Sequence, residues 1–110
     1  MEKSRLRQTM LLDLYGELLT DKQRECYDLH YNEDLSLSEI AEQLSISRQG
    51  VWDNIRRAET SLEEYEEKTG LLERFDTVRE KIAAIKRECV KLGPSAEEIV
   101  SELAALEAEL

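Results

Sequence analysis

The stretch LSLSEIAEQLSISRQGVWDNIRRAE, residues 35–59, decides how this chain folds. It contains Ser36-Leu37-Ser38-Glu39, a hydroxyl followed three residues on by a carboxylate, the capping-box pattern that opens a helix. That helix runs from Leu37 to Leu44, with Ile40, Ala41 and Leu44 on one face. Ser45-Ile46-Ser47 reads as a three-residue turn, and Ser47 is placed to cap a second helix from Arg48 to about Thr69, closed by Gly70. Ala41 is small where the two helices must approach, and Ile40, Leu44, Ile46, Val51 and Ile55 form a wedge of core between them. Helix, short turn and helix make the helix-turn-helix arrangement, a pattern that plain helical hairpins share.

Outward from this segment the helical period persists. Leu6, Met10, Leu14 and Leu18, widened by Leu11 and Tyr15, predict an amphipathic helix over residues 4–18. Thr20-Asp21-Lys22-Gln23 is another capping box, opening a helix to about Tyr31. Downstream, Phe75, Val78, Ile82, Ile85, Cys89 and Leu92 recur at alternating spacings of three and four, a heptad seam on a helix over residues 71–92. Gly93-Pro94 ends it, and Ser95-Ala96-Glu97-Glu98 predicts a third capping box before a last helix with Ile99, Leu103, Leu106 and Leu110 on one side. Val, Ile and Thr never alternate with polar residues, so the fold class is all-α. A helix-turn-helix domain over residues 1–70 and a C-terminal helical arm over residues 71–110 are the expected organisation.

At 110 residues, two-domain enzymes with a separate cofactor domain are excluded. The 41% apolar content supports a core and argues against disorder. A formal charge of −10 speaks against a surface that attracts phosphate everywhere. Residues 1–70 carry nine basic and sixteen acidic side chains, so the acidic excess lies in the part that would meet DNA, and Glu59, Glu63, Glu64, Glu66 and Glu67 continue the second helix as an acidic rod. Lys3, Arg5, Arg7, Arg24, Arg48, Arg56 and Arg57 can nevertheless form one basic face.

Charges at Glu2, Lys3, Arg5, Arg7, Asp13 and Glu17 interrupt any signal-peptide core, and no run approaches a membrane span, so a cytoplasmic location with no membrane partner is expected. Cys26 and Cys89, without metal-ligand spacing, read as buried structural thiols. His30 has no nucleophile beside it and reads as a partly exposed structural histidine. With no Gly-rich phosphate loop, His-Glu metal motif or G-x-S-x-G, no catalytic residue, metal or cofactor is assigned and an enzyme is not expected.

The string LTDKQRECYDLHYNEDLSLSEIAEQLSISRQGV, from Leu19, resembles region 4 of bacterial sigma-70 type factors. The matching positions are Leu19, Gln23, Arg24, Tyr27, Leu29, Tyr31, Leu35, Ser36, Ile40, Ala41, Leu44, Ile46, Ser47 and Val51. With LLDLYGELLT (11–20), SRQGVWDNIRRAE (47–59) and LEEYEEKTGL (62–71), the chain resembles the YlxM family of small bacterial helix-turn-helix proteins over roughly residues 5–92. The resemblance implies a sigma-70 region 4-like head with a long C-terminal helical extension. It also implies a regulatory role, associated by genetic neighbourhood with the signal recognition particle, the GTPase and RNA complex that delivers nascent membrane proteins.

If the second helix reads DNA, Ser47, Arg48, Gln49, Trp52, Asp53 and Arg56 face the bases, with Arg57 and Arg24 placed for phosphates. Asp53 then repels phosphate unless it accepts from a cytosine amino group, and Trp52 is either a contact surface or packs against the first helix or the C-terminal arm. The alternative is an adaptor that uses the same face, centred on Trp52, to bind the signal recognition particle GTPase or its RNA. The seam Phe75, Val78, Ile82, Ile85, Cys89 and Leu92 is covered by the last helix, by a second chain, or by both, and a homodimer through the C-terminal helices is expected.

Overall fold

Hydroxyl caps set where the helices begin. The computed structural model describes residues 4–110, in which six α-helices and two 3-10 turns account for the regular structure and there is no strand. Ser4 caps α1 (Arg5–Tyr15), which passes into a 3-10 turn at Gly16–Leu18. Both capping boxes expected in the first half form. At α2 (Asp21–Tyr31) the Thr20 hydroxyl accepts from the Gln23 amide N–H while the Gln23 side chain accepts from Thr20 N–H, each at 3.2 Å. At α3 (Leu37–Leu44) Ser36 and Glu39 do the same at 3.1 and 2.9 Å, and these bonds hold the Glu39 carboxyl below its usual range.

Ser45 closes α3 in the left-handed region with φ 55°, which turns the chain through Ile46 so that Ser47 caps α4 (Arg48–Thr69) by accepting from Gly50 N–H at 2.9 Å. Gly70, with φ 64°, ends α4 where a residue without Cβ meets no steric cost. The chain divides into two compact units, Met1–Gly70 and Leu71–Leu110.

In the first unit α4 packs on α1, α2 and α3. The wedge is a buried cluster of Cys26, Ile40, Ala41, Val51 and Ile55, flanked by partly buried residues that include Leu44 and Ile46. Cys26 is a free thiol, and burial pushes its ionisation up.

The face that α1 buries is centred on the Leu11–Tyr15 edge of the expected stripe and not on its Leu6–Leu18 repeat. Leu11, Tyr15 and Gln8 are buried, whereas Leu6 and Leu18 are 67% and 62% exposed. The helix is turned by one residue, about 100°, relative to the apolar repeat. Buried polar partners explain the rotation: the Tyr27 hydroxyl lies 2.7 Å from both the backbone and the side-chain oxygen of Gln8, and the Tyr15 hydroxyl donates to Glu66 at 2.6 Å. Polar groups in a dry interior must be paired, so these contacts, not the leucines alone, select the inward face.

In the second unit α5 (Leu71–Lys91) turns at Gly93 through a 3-10 turn, Pro94–Ala96, and α6 (Glu97–Ala108) folds back onto α5, with Lys86 pairing Glu107 at 2.8 Å. The third capping box does not form. Ser95 lies inside the 3-10 turn that Pro94 starts and its hydroxyl donates back to the Leu92 carbonyl, leaving Ala96 as an uncapped start to α6. The seam is also unevenly covered: Ile82 and Cys89 are buried, Phe75 and Val78 half-buried, and Ile85 and Leu92 exposed. On α6, Ile99 and Leu106 face solvent while Val100 and Leu103 are half-buried, so the covered face is again offset from the expected one. Among the described residues no helix is long and apolar enough to cross a membrane.

Candidate nucleic-acid interface on α4

The inward stripe of α4 is Val51, Ile55, Ala58 and Leu62, all buried in the first unit. Helical periodicity therefore turns Arg48, Gln49, Trp52, Asp53, Arg56 and Arg57 outward, and all six are exposed. Trp52 is 43% exposed and the Arg56 guanidinium lies 5.3 Å from the centre of its ring, a cation–π contact one helical turn long. Gln49 Nε2 donates to Asp53 Oδ1 at 3.0 Å. Ser47 is exposed at the helix start with its hydroxyl oxygen occupied as the cap.

A shallow groove beside this face is lined by Gln23, Arg56, Arg57, Thr60 and Ser61. Arg24 does not join it. That side chain lies over a neighbouring depression with Leu12, Asp21, Glu25 and Asp28, and its guanidinium is 3.7 Å from the Asp21 carboxylate. The groove position falls instead to Gln23, which the sequence marked only as a capping residue and a point of family resemblance, together with Thr60 and Ser61, which did not stand out because neutral polar residues on a helix face carry no periodic signal.

The broad basic face also contracts. Arg5 donates to the carbonyls of His30 and Tyr31 at 3.3 and 2.7 Å and pairs with Asp34 at 2.9 Å, so it satisfies the carbonyl end of α2. Arg7 makes a two-pronged pair with Glu63, at 3.2 and 2.8 Å. Lys3 lies outside the described residues. Arg48, Arg56 and Arg57, by contrast, have no ion pair with a carboxylate among the described residues.

The acidic rod is partly consumed as well. Glu59 accepts from the Tyr31 hydroxyl, Glu66 from Tyr15, and Glu63 binds Arg7, which leaves Glu64 and Glu67 as the exposed remainder of that run. His30 is half-buried, edge-on to the Tyr31 ring at 4.8 Å, with Nδ1 3.3 Å from the Leu35 carbonyl. No group of three or more metal-ligating side chains is found among the described residues.

Residues 1–101 match a family model described as "Putative helix-turn-helix protein, YlxM / p13 like". A UPF0122 protein of Caldanaerobacter subterraneus is 54% identical over 90 residues, covering 82% of this chain and 76% of its own length. Another, from Halalkalibacterium halodurans, is 46% identical over 102 residues, 93% of each chain. This chain therefore belongs to the UPF0122 family of YlxM/p13-like proteins, whose name describes the helix-turn-helix that α3 and α4 form.

Proposed function

We propose that the protein is a regulatory, sigma-70 region 4-like helix-turn-helix protein that binds duplex DNA with the N-terminal half of α4 in the major groove. The observation that carries this reading is the outward face of α4, where Arg48, Arg56 and Arg57 are exposed and, among the described residues, unengaged by carboxylates, while Arg5 and Arg7 are tied up in the fold. Arg48 and Gln49, in the first turn, have the chemistry of base-edge contacts, and Arg56 and Arg57 that of phosphate contacts. A place in the signal recognition particle pathway is supported by the sequence resemblance.

Fluorescence anisotropy with a random-sequence duplex of 30 base pairs tests the binding. Affinity should fall steeply between 50 and 200 mM salt, and Arg56→Ala should weaken binding across all sequences and reduce the salt slope by about one. No binding at 50 mM salt would overturn the reading in favour of the adaptor. That second reading is favoured by the exposed Trp52 on an acidic unit, and it requires salt-tolerant capture of the particle's GTPase or RNA that Trp52→Ala abolishes.

The C-terminal unit is the proposed dimerisation arm. Ile85 on α5 with Leu92 just past its end, and Ile99 with Leu106 on α6, are exposed apolar pairs each seven residues apart, the spacing of one helix face. Because Ile82 is already buried, Ile82→Asp would unfold the hairpin and not report on assembly. Ile85→Glu with Leu92→Glu is expected to halve the mass measured by light scattering without lowering the melting temperature at low protein concentration; a wild-type monomer at micromolar concentration removes the dimer.

A further inference from the structure

Asp53 is the one carboxylate on the outward face of the first two turns of α4, and its pairing is informative. Arg56 and Arg57 stand three and four residues on, the spacings at which an Asp followed by an Arg forms an ion pair on a helix. Neither does so. The Arg56 guanidinium lies over Trp52, Arg57 lines the groove beside Gln23, and the Asp53 carboxylate reaches in the opposite direction, to Gln49 Nε2 at 3.0 Å. Its charge is therefore not cancelled by an ion pair with any described residue, and the group is turned toward the first turn of α4, where Gln49 holds it. Oδ1 is engaged by an amide, and Oδ2 has no hydrogen-bond donor among the described residues.

We infer that Asp53, positioned by Gln49, is a specificity-determining residue of the α4 face and reads a base carrying an exocyclic amino group in the major groove. The inference rests on the DNA-binding reading above. In the major groove, cytosine N4 and adenine N6 are the amino donors, whereas guanine and thymine present the acceptors O6, N7 and O4. An ionised carboxylate facing guanine or thymine meets acceptor against acceptor, so it rejects them as well as rewarding cytosine or adenine. The Gln49 amide retains a second N–H, which complements N7 if the base is adenine and has no acceptor to meet on cytosine. Against a non-cognate duplex the same charge opposes the phosphates, so Asp53 lowers non-specific affinity while it raises selectivity.

Selection from a random duplex library, followed by affinity measurement on the selected and a scrambled duplex, tests this with wild type, Asp53→Ala and Asp53→Asn. Wild type should show one position restricted to cytosine or adenine, discriminated roughly 5- to 150-fold over guanine or thymine. Asp53→Ala should lose that discrimination and bind the scrambled duplex more tightly than wild type, with Asp53→Asn intermediate, since its amide oxygen still accepts. A duplex carrying pyrimidin-2-one for the selected cytosine, or purine for the selected adenine, lacks the amino group. It should weaken wild type and leave Asp53→Ala unchanged, and which analogue acts identifies the base. Unchanged selectivity in Asp53→Ala, or a wild-type preference for guanine or thymine that this variant erases, overturns the inference while leaving DNA binding intact. Failure of wild type to bind any duplex overturns both.

Discussion

Ile40→Ala is expected to lower the free energy of unfolding by about 2–5 kcal/mol, a large share of the roughly 5–15 kcal/mol available to a small protein. Ile40 is 0% exposed and sits in the buried cluster with Cys26, Ala41, Val51 and Ile55. The eight-residue α3 is too short to be stable alone and depends on that wedge for its place against α4. Removing three carbons leaves a cavity that neither helix can close without moving the Ser45–Ser47 turn. Urea unfolding followed by circular dichroism should show the midpoint falling with little change in slope, and Ile40→Val should lose about 0.5–1.5 kcal/mol. A loss below 0.5 kcal/mol for the alanine variant would mean that the wedge does not hold the two helices together. Because the angle of α4 is set there, duplex binding should fall in the same variant even where it remains folded.

Raising the pH through 10 should destabilise the protein by a second large effect. Burial is the main cause that pushes the Tyr27 and Tyr31 phenols above the ordinary tyrosine range; the neighbouring phenol and Glu59 add to it for Tyr27, and the hydrogen bond to Glu59 adds to it for Tyr31. In the unfolded chain both ionise near pH 10. Below that pH the folded and unfolded states hold the same phenolic protons and the contribution is fully present. Above it the unfolded state releases protons that the folded state keeps, so stability falls as pH rises, by up to about 1.4 kcal/mol per pH unit for each phenol. Between pH 10 and 11 a combined loss of about 2 kcal/mol is expected from the urea midpoint. Tyr27→Phe leaves the buried Gln8 side-chain oxygen without its phenolic donor and costs about 1–3 kcal/mol at neutral pH, yet its stability should depend less steeply on pH than that of wild type. An equal slope in wild type and in both Tyr27→Phe and Tyr31→Phe would show that these phenols are not held neutral by the fold.

The helix starts and stops were legible because they are local. Thr20 with Gln23, Ser36 with Glu39, Ser47 before Gly50, and Gly70 in the left-handed region each bond or bend within four residues. Ser95 misleads for a related reason: Pro94 forces a competing local turn that the Ser-x-x-Glu spacing does not register. The candidate site was legible to the same extent. Once α4 exists with Val51, Ile55, Ala58 and Leu62 inward, geometry leaves Arg48, Gln49, Trp52, Asp53 and Arg56 outward.

By itself, then, the sequence determined an all-α chain, the bounds of the helix-turn-helix and the outward face of α4, since all of these follow from backbone periodicity and from capping groups a few residues apart. Tertiary structure alone decided which charges remain available on that face. The partners of Arg5 and Arg7 lie 25 to 56 residues away, and those of Tyr15, Tyr27 and Tyr31 lie 19 to 54 away, distances over which pattern carries no information. These long-range pairs rotate α1, bury Glu59 and Glu66, and withdraw two arginines from the expected basic face. An acidic protein is left with a narrow exposed set, Arg48, Arg56 and Arg57 beside Trp52 and Asp53, because a charge counts toward binding only when the fold has not already spent it on a partner.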